Sequence, residues 1–472
     1  MREDFDRFCM YSMHVRYLGI AGPVLPDEVM EDYIRLFPDR PFLPRVQSIN
    51  TRAVPFAIPT SLPWLRFLLR SSMPTENQTP VSASTLKHLY TFDTVSFNDR
   101  EGAILLALDL VAFQHSNVRL GGGLETFKMR STPCLATRRP YQDIMEYAFI
   151  LPPPGTVDSP AYGLRHLEVP HFLRELPDFF GRVAKMRGLE HLIIVIMASR
   201  GDDNMWEVEE KKERVQHSLS SLEIEGDWWD LCSAINLCAS PSATAPFRTL
   251  RLHYYSINRD MVIAEVAKIL DLPAVTIPPD RLETLTIEPV EEREYLAGEY
   301  LRGLVLTTNE LQPLIQYRHM AKLHLDLPCT ILLDIKFLHA LASVMRRTLS
   351  HLVVMRSMEY RRGSAIKPVL TVDDLATIAG VILPQLETLG LDVTWCDSPL
   401  SAERDCLVAS SVLRTLHVGT ERTLSDRRSL NVAKFLKDRF PSLQYLYRHE
   451  VRPRDDGWYP VIEANGYKSG YC

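Results

Sequence analysis

Six histidines are the residues whose spacing first suggests chemistry. His166, His191, His253, His324, His351 and His417 each stand at the third, fifth or seventh place of a short apolar repeat. An imidazole can exchange a proton near neutral pH or hold a transition metal. Metal binding needs a third ligand at matching spacing, and none is indicated. Histidine also tolerates an exposed strand position, which is the plainer explanation of the pattern. His166 and His191 occupy the same place in consecutive repeats, so paired strands would bring them to roughly 5 Å. With Arg251, Lys322, Tyr445 and Tyr447 these histidines are candidates for lining a partner-binding face. Which of them make contact is left open.

Asp227-Trp228-Trp229-Asp230 pairs two carboxylates with two aromatics, but a glycosidase needs its carboxylates across a cleft. Gly121-Gly122-Gly123 lacks the dinucleotide fingerprint and reads as a turn into a strand. There is no phosphate-cradling P-loop, nucleophile elbow or zinc helix in the sequence. The eight cysteines are scattered without a C-x-x-C pair, which fits free thiols in a reducing compartment. No catalytic, cofactor-binding or metal-binding residue is assigned. No cofactor is expected, and the chain is not expected to be an enzyme.

Bulk composition narrows the class. The 472 residues are 46% hydrophobic and 24% charged, with a net charge of -6. Such a chain can build a large core and has no basic field to hold nucleic acid. The longest strictly apolar stretch, Leu192 to Ala198, is far shorter than a membrane span. The charged opening Met1-Arg2-Glu3-Asp4 does not read as a signal peptide. Neither nucleic acid nor membrane is therefore expected as a partner, and cytoplasm or nucleus is the expected location.

The elements that must position the histidines come from a recurring hexad, Leu-x-x-Leu-x-(Leu/Ile/Val). Clear copies are Leu164/Leu167/Val169, Leu282/Leu285/Ile287, Leu386/Leu389/Leu391 and Leu413/Leu416/Val418. Weaker copies run from Val15/Leu18 to Leu443/Leu446, making about fourteen units at intervals of about 25–40 residues. Leu301/Leu304/Leu306 also fits but follows its predecessor too closely. Helices precede several copies: Asp334 to Arg347, Thr371 to Leu383 and Ser429 to Phe440 show apolar faces at helical spacing. Thr371 and Asp374 form a capping box, and Pro384 and Pro441 stop the helices. Strands joined through helices in this way must run parallel, with the helices outside. The expected fold is thus an α/β, irregular leucine-rich-repeat solenoid over residues 1–450, followed by a C-terminal tail over 451–472. The fourth and sixth hexad residues, such as Leu389, face the helix layer, and the third, fifth and seventh face the concave side.

Asp4-Phe5-Asp6-Arg7-Phe8, Tyr11-Ser12 and Val15-Arg16-Tyr17-Leu18 resemble the stretch that opens the repeats of fungal F-box/leucine-rich-repeat proteins. Leu383-Pro384-Gln385-Leu386-Glu387-Thr388-Leu389 and Phe440-Pro441-Ser442-Leu443-Gln444-Tyr445-Leu446 are similar to that family's later units. The family's F-box precedes such an opening, so the chain is expected to be the repeat half without its docking half. Leu25-Pro26-Asp27-Glu28-Val29 mimics an F-box start but lies downstream of that opening and lacks the expected Trp. Phe172, Met197 and Thr394 replace the family's regular Asn or Cys. The resemblance implies substrate recognition for an SCF-type ubiquitin ligase, with Skp1 and cullin as partners if an F-box lies upstream. The protein substrate itself is unknown. The alternative is a leucine-rich-repeat scaffold or inhibitor unrelated to ubiquitination.

Overall fold

A computed structural model describes residues 10–19, 45–50, 86–93, 124–131, 164–172, 188–197, 219–238, 248–254, 266–271, 277–290, 305–356, 368–394, 409–418, 426–448 and 459–471, with isolated positions between them. Asp4 to Asp6, residues 25–28, Gly121–Gly123 and Leu301 lie outside the described residues. Their contacts divide the chain into two compact units, residues 1–222 with 242–246 and residues 223–241 with 247–472. One domain over 1–450 was expected from the repeats. In a solenoid each repeat touches only its neighbours, so compactness need not extend over the whole array.

The first unit carries β1 (Tyr17–Gly19), β2 (Ser48–Asn50), β3 (His88–Asp93), β4 (Thr126–Ser131), β5 (His166–Phe172) and β6 (His191–Met197), side by side in chain order. The registered pairs are parallel: Ile49 faces Leu89, Leu89 faces Phe127, and Leu167 faces Leu192. These are the fourth hexad positions, and all are buried.

The second unit continues the plan. From β7 (Ser221–Gly226) the strands follow the order β8 (Thr249–Tyr254), β9 (Thr284–Pro289), β11 (Lys322–Leu327), β13 (His351–Arg356), β14 (Thr388–Leu391), β15 (Thr415–Val418), β16 (Tyr445–Arg448) and β17 (Lys468–Tyr471). The described helices are α1 (Trp228–Cys238), α2 (Thr308–Leu311), α3 (Ile335–Met345), α4 (Val372–Thr377), α5 (Asp426–Arg439) and α6 (Tyr459–Asn465). They lie outside a parallel sheet, as the hexad pattern predicts. Leu285, Leu323, Leu352, Leu389, Leu416 and Leu446 line up in register beneath them. All six are essentially inaccessible to solvent, each contributing about 1.5–3 kcal/mol on burial.

Backbone hydrogen bonds set the register. The carbonyl of the second hexad residue accepts two successive N–H groups from the next repeat. Arg248 accepts from Glu283 and Thr284, Glu283 from Ala321 and Lys322, and Ala321 from Ser350 and His351. Ser350, Glu387 and Arg414 continue the series, and Gln47, Lys87, Glu125 and Arg165 do the same in the first unit. The backbone thus supplies a regular ladder.

Of three further details, the first agrees with the expectation that the Leu301/Leu304/Leu306 hexad is not a repeat, and the other two differ from the sequence expectation. Leu306 lies in β10 (Val305–Thr307), which pairs only with β12 (Thr330–Leu332) in a separate two-stranded sheet. The helix expected from Thr371 to Leu383 is α-helical only to Thr377 and then widens into a π-turn over Ile378–Ile382. Its capping box is present, with Asp374 Oδ2 accepting from Thr371 N at 2.7 Å and Oγ1 at 2.8 Å. The segment expected as a tail instead supplies α6 and β17. Gly466, at φ 64, ends α6 in a left-handed turn that residues with a Cβ adopt only at a cost, and Lys468 N then donates to Gln444 O at 2.9 Å.

Candidate functional site on the concave face

Alternate residues of the second unit's strands form two registered rows on the inner face. One row is Arg251, Thr286, His324, Val353, Gly390, His417 and Tyr447. The other is Thr249, Thr284, Lys322, His351, Thr388, Thr415, Tyr445 and Lys468. The period of two along each strand is what places these side chains opposite the helix layer.

Three imidazoles gather here. His351 Nε2 lies 3.3 Å from His324 Nδ1, and the two rings stack with centroids 5.5 Å apart. The His417 ring is 6.3 Å from that of His324 although two strands intervene. Successive strands are about 4.8 Å apart, so side chains must lean inward to meet. Gly390, in one intervening strand, offers no side chain to block them. A Cβ there would fall 2.8 Å from His417 Cβ and 3.0 Å from Val353 Cγ1. His417 also stacks on Tyr447 at 4.9 Å, Tyr447 on Tyr445 at 6.4 Å, and Lys468 sits over the Tyr445 ring.

The charge states follow from burial and neighbours. Burial holds His324 and His351 down to about 3 and His417 to about 4, so all three are neutral at physiological pH. His253 behaves oppositely. Burial pulls its pKa down, but the Glu223, Glu288 and Glu225 carboxylates outweigh it and raise the value. Its Nε2 is 3.4 Å from Glu223 and its Nδ1 3.4 Å from Glu288. The Nε2 contact is an ion pair without hydrogen-bond geometry. Glu288 also approaches His324 Nε2 at 3.7 Å, and Glu223 approaches Arg251 at 3.7 Å. A network of alternating charge therefore runs into the cluster of neutral imidazoles.

The first unit has its own pair. His166 and His191 stack with centroids 4.2 Å apart and planes 2° from parallel, as their shared register requires. Burial, with His191 and Lys128 nearby, lowers the His166 pKa. Lys128 reaches the buried Glu168 at 3.8 Å.

The structure brings His253, His324, His351 and His417 together with Arg251, Lys322, Tyr445 and Tyr447 on one face. Within the Asp-Trp-Trp-Asp motif, Trp228 belongs to the core. Asp227 O accepts from Leu231 N at the start of α1, and Trp228 packs edge-on against Tyr254. Asp230 is pushed up to about 7 by burial and then by Asp227. Cys232 and Cys329 are buried free thiols. Among the described residues, no three His, Cys, Asp or Glu side chains are grouped to hold a metal ion, and no helix is long and apolar enough to cross a membrane. Sequence reasoning missed Glu223, Glu288 and Gly390. Each stands at a concave position of its hexad, so counting the register outward from the leucines would have found them.

No family model matches the chain. No curated protein matches it either. Among solved structures the chain is similar to one described as the crystal structure of the Rad7 and Elc1 complex in yeast, at 13% identity, covering 60% of this chain and 86% of that one, with a TM-score of 0.19. Likeness at that level carries no argument about fold or partner.

Proposed function

We propose that this protein is a recognition module that holds a protein partner against the concave face of its second unit, and that it performs no bond chemistry itself. The observation that carries this reading is the half-buried pair Tyr445 and Tyr447, stacked on one another and backed by buried His417 and its neighbours His324 and His351. Tyrosines present flat apolar area with a hydrogen-bonding hydroxyl, the combination enriched where proteins bind one another. The flanking Glu223, Arg251, Glu288 and Lys322 supply a charged border that would orient the partner.

The resemblance of the opening and later repeats to fungal F-box/leucine-rich-repeat proteins supports a narrower form of this reading. In that form the bound protein is a substrate for an SCF-type ubiquitin ligase, selected in the cytoplasm or nucleus. Affinity purification of the wild-type chain and of a Tyr445→Ala/Tyr447→Ala variant, read by mass spectrometry, tests both forms. Proteins lost from the variant alone are expected, and when both chains are expressed with an upstream F-box, Skp1 with cullin should co-purify with both. An identical set from both chains would overturn the concave-face reading. Absence of Skp1 and cullin would overturn the ligase reading only.

A further inference from the structure

The outer layer of the second unit carries a second surface, independent of the concave face. On α3, Lys336, His339 and Ser343 are exposed, and Arg346 and Arg347 follow at its C-terminal end, also exposed. Spacings of three and four place Lys336, His339, Ser343 and Arg346 on one side of the helix. No acidic residue lies anywhere within α3. Among the described residues, no carboxylate pairs with Lys336, Arg346 or Arg347. On a chain whose net charge is -6, this stripe is a local reversal of sign.

Beside the stripe runs a groove of about 550 Å³, within the range of ligand-binding clefts. Its apolar lining comes from Ala342 and Val344 on α3 and from Val381 and Ile382 in the π-turn of the next repeat. The wider π-turn leaves Val381 44% exposed, one of few large apolar side chains so placed among the described residues. Arg346 Nη2 donates to Val381 O at 3.2 Å and so ties the two walls together. His339 and Arg347 stand at the groove's border.

We infer that this groove is a docking surface for an acidic peptide segment of a partner protein, with one aliphatic or aromatic side chain seated beside Val381. The cations would face the segment's carboxylates, and the apolar lining would take its anchor. A nucleic acid fits less well, because a duplex needs many phosphate contacts along a continuous basic field. The apolar half of the groove has no counterpart in a phosphate backbone.

The test uses the full chain and a fluorescein-labelled twelve-residue peptide of Glu and Asp with one central Phe, read by fluorescence anisotropy. The expected result is saturable binding that weakens with salt. A Lys336→Glu/Arg347→Glu variant should bind about tenfold more weakly, and Val381→Asp should do likewise. Both substitutions alter exposed side chains, so thermal midpoints should match wild type. Tyr447→Ala, on the concave face, should bind the peptide normally. Binding absent at about 1 mM, or unchanged in both groove variants, would overturn the inference. So would tighter binding of duplex DNA or phosphatidylserine vesicles with the same dependence on Lys336 and Arg347.

Discussion

The Nε2 of His351 lies 3.3 Å from the Nδ1 of His324, across two paired strands of the second unit. Glu288 stands 3.7 Å from the other nitrogen of His324. A carboxylate there favours the tautomer with the proton on Nε2, leaving Nδ1 to accept from His351. The pair is therefore polarised in one direction without either ring being charged.

Acid should loosen this protein. The folded values of His324, His351 and His417 lie below the ordinary 6.5. The unfolded chain then binds more protons, so their contribution is fully present above 6.5 and is lost as pH falls toward 3–4. Each group contributes a slope of up to about 1.4 kcal/mol per pH unit in that window. His253 opposes them: its raised value makes its contribution fully present below 6.5 and lost as pH rises through the folded value. Urea midpoints measured at several pH values should fall on acidification in wild type. They should fall less in a His324→Gln/His351→Gln variant. An equal fall in both chains would count against the buried neutral imidazoles.

Gly390→Ala should destabilise the second unit. The added methyl would crowd His417 Cβ, Val353 Cγ1 and Met355 Sδ at 2.8, 3.0 and 3.1 Å. Crowding of this kind costs about 1–3 kcal/mol, against a gain of about 0.4–1 kcal/mol from stiffening the unfolded chain. Equilibrium urea unfolding should report the net loss. A gain in stability would mean that the imidazoles do not close over that glycine.

Leu389→Asp should abolish cooperative unfolding of the array. Leu389 is fully buried between Leu352 and Leu416 in the ladder, and an unpaired carboxylate there costs several kcal/mol. Circular dichroism during heating should show a lost or sharply lowered transition, and an unchanged midpoint would refute the inward placement.

Cys329 should resist a thiol reagent until the protein unfolds. It is buried, and burial pushes its thiol up to about 12, so almost no thiolate exists at neutral pH. Timed labelling followed by peptide mass mapping should find it modified only in denaturant. Rapid modification in buffer alone would contradict its placement.

The repeating strands were legible because the information is local. Leucines at fixed intervals, with a proline or a short loop after the helices, dictate a parallel ladder whatever partner is bound. Even Thr371 and Asp374 announced their capping box three residues apart. The alignment of His166 with His191 followed from counting within the hexad. The failures came where the signal was weak. β17 has no leucine hexad to announce it, yet it pairs with β16. Leu306 has the hexad spacing, but its closeness to the preceding copy correctly marked it as outside the repeat series, and it pairs in a separate sheet.

By itself, the sequence determined an α/β repeat architecture, its register, and which residues face inward. Only the tertiary structure decided the electrostatics of the face. Burial turned three ordinary histidines into neutral groups, while three carboxylates from other strands raised a fourth. Spacing along a chain encodes direction, but desolvation and charge depend on distances between residues far apart in sequence.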